Sequence, residues 1–212
     1  MTVANRITLA RIVLTGFFMV ALFTDDFLMR YFGISSAMIT FVSRALALLF
    51  LILAAATDAI DGAVARRTRS TDLGALLDPL ADKILVSAAF ISFVALREVF
   101  VPAWMVVIII SREFAVTGLR LLAATKGEII PAGRLGKHKT AWQVGIIVTV
   151  LFFLLFKAAV KAFPATVPSF DGARIDWAVQ FLIYVAMSVT VVLSITSAVN
   201  YLRANRRFFR ES

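Results

Sequence analysis

Four aspartates carry the densest chemistry in the chain. Asp58 and Asp61 stand three residues apart, and Asp78 and Asp82 stand four apart. On a helix each spacing puts both carboxylates on one face. Gly62 and Ala65 share the face of the first pair, and Gly74 lies one turn before Asp78. Small residues beside acids leave a slot in which a flat ligand can lie against the helix. Four converging carboxylates repel one another unless protonated or neutralised. An oxygen-only donor set without His or Cys favours hard cations, Mg²⁺ first and Mn²⁺ second. Four carboxylates suit two ions better than one, and an ion pair of this kind is a recurrent device for phosphoryl transfer. Arg66, at the end of the first acidic segment, can pair with a phosphate. Thr71 either caps the following helix or contacts a ligand. The blander reading makes these acids helix caps or partners of Arg66, Arg67, Arg69 and Lys83. It serves any single aspartate. It serves poorly for four acids on two matched faces, because charge inside a membrane segment is costly.

The elements that must position these groups are membrane helices. The chain of 212 residues is 61% hydrophobic with mean hydropathy +0.92, where a soluble domain has about 45–50% apolar residues. Six apolar blocks stand out, at 7–23, 39–65, 73–96, 102–123, 140–162 and 175–202. Crossing a bilayer takes about 20 residues of helix, and an open sheet in lipid would leave backbone groups unpaired. The expectation is an all-α integral membrane protein with six transmembrane helices and one domain spanning 1–212. The first block is read as a retained helix and not a cleaved leader, with Thr24-Asp25-Asp26 as its exit. The 163–176 stretch, with two prolines and Asp171-Gly172, reads as an outer loop. Thirteen flanking Lys and Arg fall on one side, Arg6, Arg11 and Lys139 among them. Five fall on the other: Arg30, Arg97, Lys157, Lys161 and Arg174. The richer side is cytoplasmic, and both termini lie there. The net charge of +9 is thereby read as membrane topology and anionic lipid or substrate, with no nucleic-acid partner. Arg203, Arg206, Arg207 and Arg210, with Phe208 and Phe209, form a membrane-surface tail. The absence of cysteine removes disulfides and thiolate metal sites.

The run Asp58-x-x-Asp61-Gly62-x-x-Ala65-Arg66, seven residues, then Gly74-x-x-x-Asp78-x-x-x-Asp82 resembles the signature of the CDP-alcohol phosphatidyltransferases. The spacer is one residue shorter than the family's commoner length. The resemblance implies six transmembrane helices, usually in a homodimer. It implies that Asp58, Asp61 and Asp78 bind two metal ions, and that Asp82 lies at the metal and serves as general base. It also implies that Gly62, Arg66 and Thr71 contact the CDP moiety of CDP-diacylglycerol. The opening Asn5-Arg6-Ile7-Thr8 resembles the family's start, with Ala4 in place of a proline, so Asn5 and Thr8 would reach the nucleotide. The segments 78–83, 111–120 and 133–140 resemble the bacterial phosphatidylglycerophosphate synthase branch. A bacterial inner-membrane enzyme with its site at the cytoplasmic face is the resulting expectation.

A second, cationic set stands beside the acids. Arg112 and Arg120 are eight residues apart, just over two helical turns, and share a face. Arg112 is too deep in its segment to reach water by snorkelling, so it should face the bundle interior. Its local alternative is a salt bridge with Glu113. Lys137 and Lys139 open the fifth helix, and His138 between them reads as a loop residue without a role. Cations beside an acidic metal site call for a bridging anion. Glycerol 3-phosphate fits, its phosphate on Arg112, Arg120, Lys137 and Lys139 and its free hydroxyl toward the metals. The expected reaction moves a phosphatidyl group from CDP-diacylglycerol to glycerol 3-phosphate. The rivals are another acceptor such as inositol phosphate, and a divalent-cation transporter or channel, since acidic rings also line pores.

Overall fold

A computed structural model describes residues 3–65, 72–96, 98–125, 134–164 and 172–204. The side chains at 3–5, 58–65, 72–79, 82, 121, 124, 125, 134–138, 172 and 204 lie outside that description. The described chain is helical: α1 (Val3–Phe32), α2 (Ala37–Ala65), α3 (Asp72–Ala95), α4 (Ala103–Thr125), α5 (Arg134–Ala162) and α6 (Gly172–Ala204). Helices satisfy every backbone group within one segment, which lipid demands. Many hydroxyls are satisfied in the same way. Thr15 donates to the carbonyl of Arg11 at 2.8 Å, Thr190 to Ala186 at 2.8 Å and Thr196 to Val192 at 2.8 Å. Apolar helices can therefore carry these residues without leaving a bare O–H.

Among the described residues four helical stretches can cross a membrane by length and composition: Arg6–Phe32, Ala37–Thr57, Lys139–Ala162 and Ala173–Arg203. The 24 residues from Lys139 to Ala162 rise about 36 Å, more than a hydrocarbon core of about 30 Å. In α3 the apolar part is shorter, Lys83–Ala95, because Asp78, Asp82 and Lys83 occupy its first half. Charge at Arg112, Glu113 and Arg120 interrupts α4 in the same way. The two helices least like ordinary spans both carry candidate chemistry.

Packing centres on α1, α2 and α3, with α5 against α2 and α6 bridging α4 and α5. Phe18 and Leu22 of α1, Ala47 and Ala54 of α2, and Ala89, Phe90 and Phe93 of α3 are wholly buried. The alanines on α2 let its backbone approach α1 closely, as small residues do between membrane helices. Large apolar residues such as Val20, Phe152, Phe181 and Val192 face outward, where lipid would cover them.

Two boundaries differ from the sequence reading. Helix α1 does not end at Thr24-Asp25-Asp26 but runs nine residues beyond Phe23 to Phe32. The hydroxyl of Thr24 donates to Val20 at 2.7 Å, inside the helix. Asp25 has a partner from α2: Arg44, 1% exposed, reaches its carboxylate at 3.1 Å and that of Glu98 at 3.4 Å. Arg44 also donates to the carbonyl of Leu22. The helix stops at Gly33, whose φ of +67° suits only glycine well. The Gly33 N–H returns to Met29 at 3.1 Å and the Ile34 N–H to Leu28 at 3.2 Å. Second, Asp176 belongs to α6 and not to an outer loop, and it pairs with Lys157 of α5 at 2.8 Å. Gln180 fastens the same end, donating to the carbonyl of Glu98 at 2.7 Å and accepting from the Phe100 N–H at 2.8 Å.

Candidate functional site

The acidic residues sit where the sequence puts them along the helices. Asp58, Asp61 and Gly62 lie in the last two turns of α2, and Asp78 and Asp82 in the first half of α3. Both segments adjoin the 66–71 connection, so they share one end of the bundle. Their side chains are outside the described set, as is that of Asn5 in α1. Arg66 and Thr71 fall outside the described residues altogether. Thr8 is described, and it is wholly buried on α1.

The cationic set is visible in detail. Arg112 is largely buried, which bears out its inward placement. Its Nη2 donates to Ser197 Oγ of α6 at 2.5 Å, and its Nη1 reaches Glu113 Oε1 at 3.4 Å. The local salt bridge weighed against a ligand role thus exists, but it uses only part of the guanidinium. The Nε of Arg112 is buried with no acceptor among the described residues. Arg120, two turns on, lies 5.6 Å over the ring of Tyr201, within cation–π range. Its Nε is likewise buried without an acceptor. Both arginines turn toward α6, so the shared face read from their spacing is real.

Lys139 is not a flanking charge at the membrane surface. It is 2% exposed and bonded to Glu113. Arg11, also counted among the flanking charges, is buried within α1. In both cases a long side chain turns into the bundle, where a carboxylate or polar partner lowers the cost of burial. The side chain of Lys137 lies outside the description, and His138 stands in α5 and not in a loop.

Sequence reasoning passed over three participants. Glu113, read only as a neighbour of Arg112, gathers Lys83 of α3 at 3.1 Å, Lys139 of α5 and Arg112. Lys83 looks like a partner for the adjacent aspartates. Ser197 lies 85 residues beyond Arg112, and no periodicity announces that contact. Beside this cluster a groove of about 810 Å³ runs between α5 and α6, lined by Gly145, Val150, Leu182, Ala186 and Leu193. Lys139 and Ser197 belong to both groove and cluster.

The arrangement offers an anion several donors that the protein leaves partly unused, at the end of the bundle where α2 and α3 bring their acids. The family model described as CDP-alcohol phosphatidyltransferase matches residues 1–202. A Bacillus subtilis protein named CDP-diacylglycerol–glycerol-3-phosphate 3-phosphatidyltransferase is 45% identical over 161 residues, 76% of this chain and 81% of that one. A Treponema pallidum protein of the same name is 38% identical, covering 76% of this chain and 70% of the relative. A Mycobacterium tuberculosis protein named probable phosphatidylglycerophosphate synthase is 37% identical over 77% and 74% of the two chains.

Proposed function

The chain belongs to the CDP-alcohol phosphatidyltransferase family, and on that premise we propose that it transfers the phosphatidyl group of CDP-diacylglycerol to glycerol 3-phosphate. The observation that carries the acceptor is the pair of buried guanidinium Nε atoms, on Arg112 and Arg120, that no described group accepts from. A phosphomonoester supplies three acceptor oxygens and nearly two negative charges. Arginine's planar fork is shaped for that partner. A neutral alcohol would leave these donors unmatched. The relatives carry the same acceptor in their names.

Arg112, Arg120 and Lys139, with Lys137 from the first turn of α5, hold the acceptor's phosphate. Its C1 hydroxyl then points toward α2 and α3. Asp82 takes the proton from that hydroxyl. The oxygen attacks the phosphorus that bears diacylglycerol, the bond to the CMP oxygen breaks, and phosphatidylglycerol phosphate and CMP result. Gly62, Arg66 and Thr71, with Asn5 and Thr8 of α1, hold the CDP moiety while the acyl chains stay in lipid. The donor chemistry at Asp58, Asp61, Asp78 and Asp82 suits two divalent cations, Mg²⁺ or Mn²⁺, without any softer ligand. When bound, these ions offset the charge of the pyrophosphate and of the departing CMP. The enzyme is read as a homodimer with six spans in a bacterial inner membrane, its site and both termini at the cytoplasmic face.

The test is incorporation of radiolabelled glycerol 3-phosphate into lipid by purified protein given CDP-diacylglycerol and Mg²⁺. Incorporation should require the metal and vanish in Asp78→Ala. Asp82→Asn should lose turnover and keep nucleotide binding; near-normal turnover would remove Asp82 as the base. CMP release only with another alcohol would change the acceptor. Cation flux through liposomes without lipid substrate, and no CMP release, would favour transport.

A further inference from the structure

We infer that Glu113 is a positioning residue that fixes the spacing of the cations receiving the acceptor's phosphate. The inference rests on the acceptor proposed above and adds a residue to it. Glu113 is 4% exposed. Both of its oxygens are engaged. Oε2 meets Lys83 at 3.1 Å, while Oε1 takes Lys139 and, at 3.4 Å, Arg112. The three cations come from α3, α5 and α4, so one carboxylate ties three helices at the site end.

The way these cations are held points to a ligand. A carboxylate serving only to pay its own desolvation needs one partner, and here three cations surround it. Arg112, among them, keeps a buried donor to spare, which favours an arriving anion. Its Nη1 turns to Glu113 and its Nη2 to Ser197, while its Nε has no acceptor among the described residues.

Position matters most for the lysines. An ammonium on a four-carbon stem is a point charge without directional preference, and near a membrane surface it turns to water. Glu113 gives Lys83 and Lys139 an address. Lys83 directly follows Asp82 in the chain, so the same carboxylate ties the phosphate-binding cations to the helix of the proposed base. A substrate held at one end by these cations would then present its hydroxyl at a set distance from Asp82. Glu113 touches no reacting atom; it acts through Lys83, Arg112 and Lys139.

The experiment compares full-length protein with Glu113→Gln in lipid vesicles, varying glycerol 3-phosphate at saturating CDP-diacylglycerol and then the reverse. Glu113→Gln should raise KM for glycerol 3-phosphate about tenfold, as loss of a buried partner that orients binding groups does elsewhere. KM for CDP-diacylglycerol should stay within about twofold, since the change is confined to acceptor binding. Inhibition by inorganic phosphate, the simplest probe of the same cations, should weaken in parallel. Glu113→Asp keeps the charge with a shorter reach and should give an intermediate KM. A purely structural latch would instead shift both KM values together or lower only the thermal midpoint, and either result overturns the inference. If Glu113→Gln does not fold, Glu113→Asp decides, and an unchanged acceptor KM refutes the role. Wild-type protein idle with glycerol 3-phosphate would overturn the acceptor reading and this inference together. Active wild type with an unaffected Glu113→Gln would overturn only the inference.

Discussion

Arg112 shows how one side chain can be structural and receptive at once. Two of its nitrogens are committed, to Glu113 and Ser197, and those commitments hold the guanidinium in one plane. Lysine in its place would keep the charge and lose the fork. Arg112→Lys is therefore expected to raise the acceptor KM about tenfold, with folding intact by thermal shift, since a bidentate site does not tolerate that exchange. Ser197→Ala removes a single neutral partner, and a loss of about 1 kcal/mol in acceptor binding is expected from the same titration. The inward placement of Arg112 and its alignment with Arg120 were legible in the sequence, because charge spacing on a helix is a local property. The partners were not. Arg112 meets Ser197 of α6, and its neighbour Glu113 meets Lys83 of α3; a pattern along one segment cannot say which neighbour it meets.

At the scale of elements, the six apolar blocks locate the six helices, and their ends fall within a few residues except at the end of α1 and the start of α5, which begins six residues early. There the pair Asp25-Asp26 has the look of an exit, yet the helix continues because Arg44 meets Asp25 from the side. Hydropathy cannot distinguish an acid that ends a helix from one that pairs across to the next. Among the described residues Arg44 joins α1, α2 and the α3–α4 connection through Leu22, Asp25 and Glu98. Arg44→Met should lower stability by about 3 kcal/mol, because both carboxylates lose their buried partner. Denaturant or thermal unfolding in detergent would register it, and KM for both substrates should hold, since this knot lies at the end away from the acids. Ala47 of α2, wholly buried, makes the complementary case. Ala47→Leu should cost about 2 kcal/mol through overpacking, read in the same unfolding measurement.

Across the whole molecule the two ends of the bundle differ in kind. One carries the aspartates, Glu113 and its cations. The other carries Arg44, Gln180 and the Lys157–Asp176 pair, with Trp104 and Trp177 exposed near it. Exposed tryptophans suit the headgroup layer. The natural chain has no cysteine, so single cysteines report sidedness cleanly. An impermeant maleimide added to intact cells should label Ser35→Cys, while Ser70→Cys should react only after permeabilisation. The reverse pattern would invert the proposed topology.

The Arg44 knot also bears on how the protein is made. Arg44 and Asp25 are 19 residues apart, on α1 and α2, which leave the ribosome before α3 to α6. A lone arginine in hydrocarbon is costly, but here its acid has already been synthesised when it arrives. The first hairpin can thus neutralise itself at birth, whereas the cluster around Glu113 stays incomplete until α5 delivers Lys139. Biogenesis would proceed from a self-sufficient N-terminal hairpin to a catalytic end completed late. A nascent chain released before α5 could already hold its first ion pair while still lacking two of the four cations proposed to grip the phosphate.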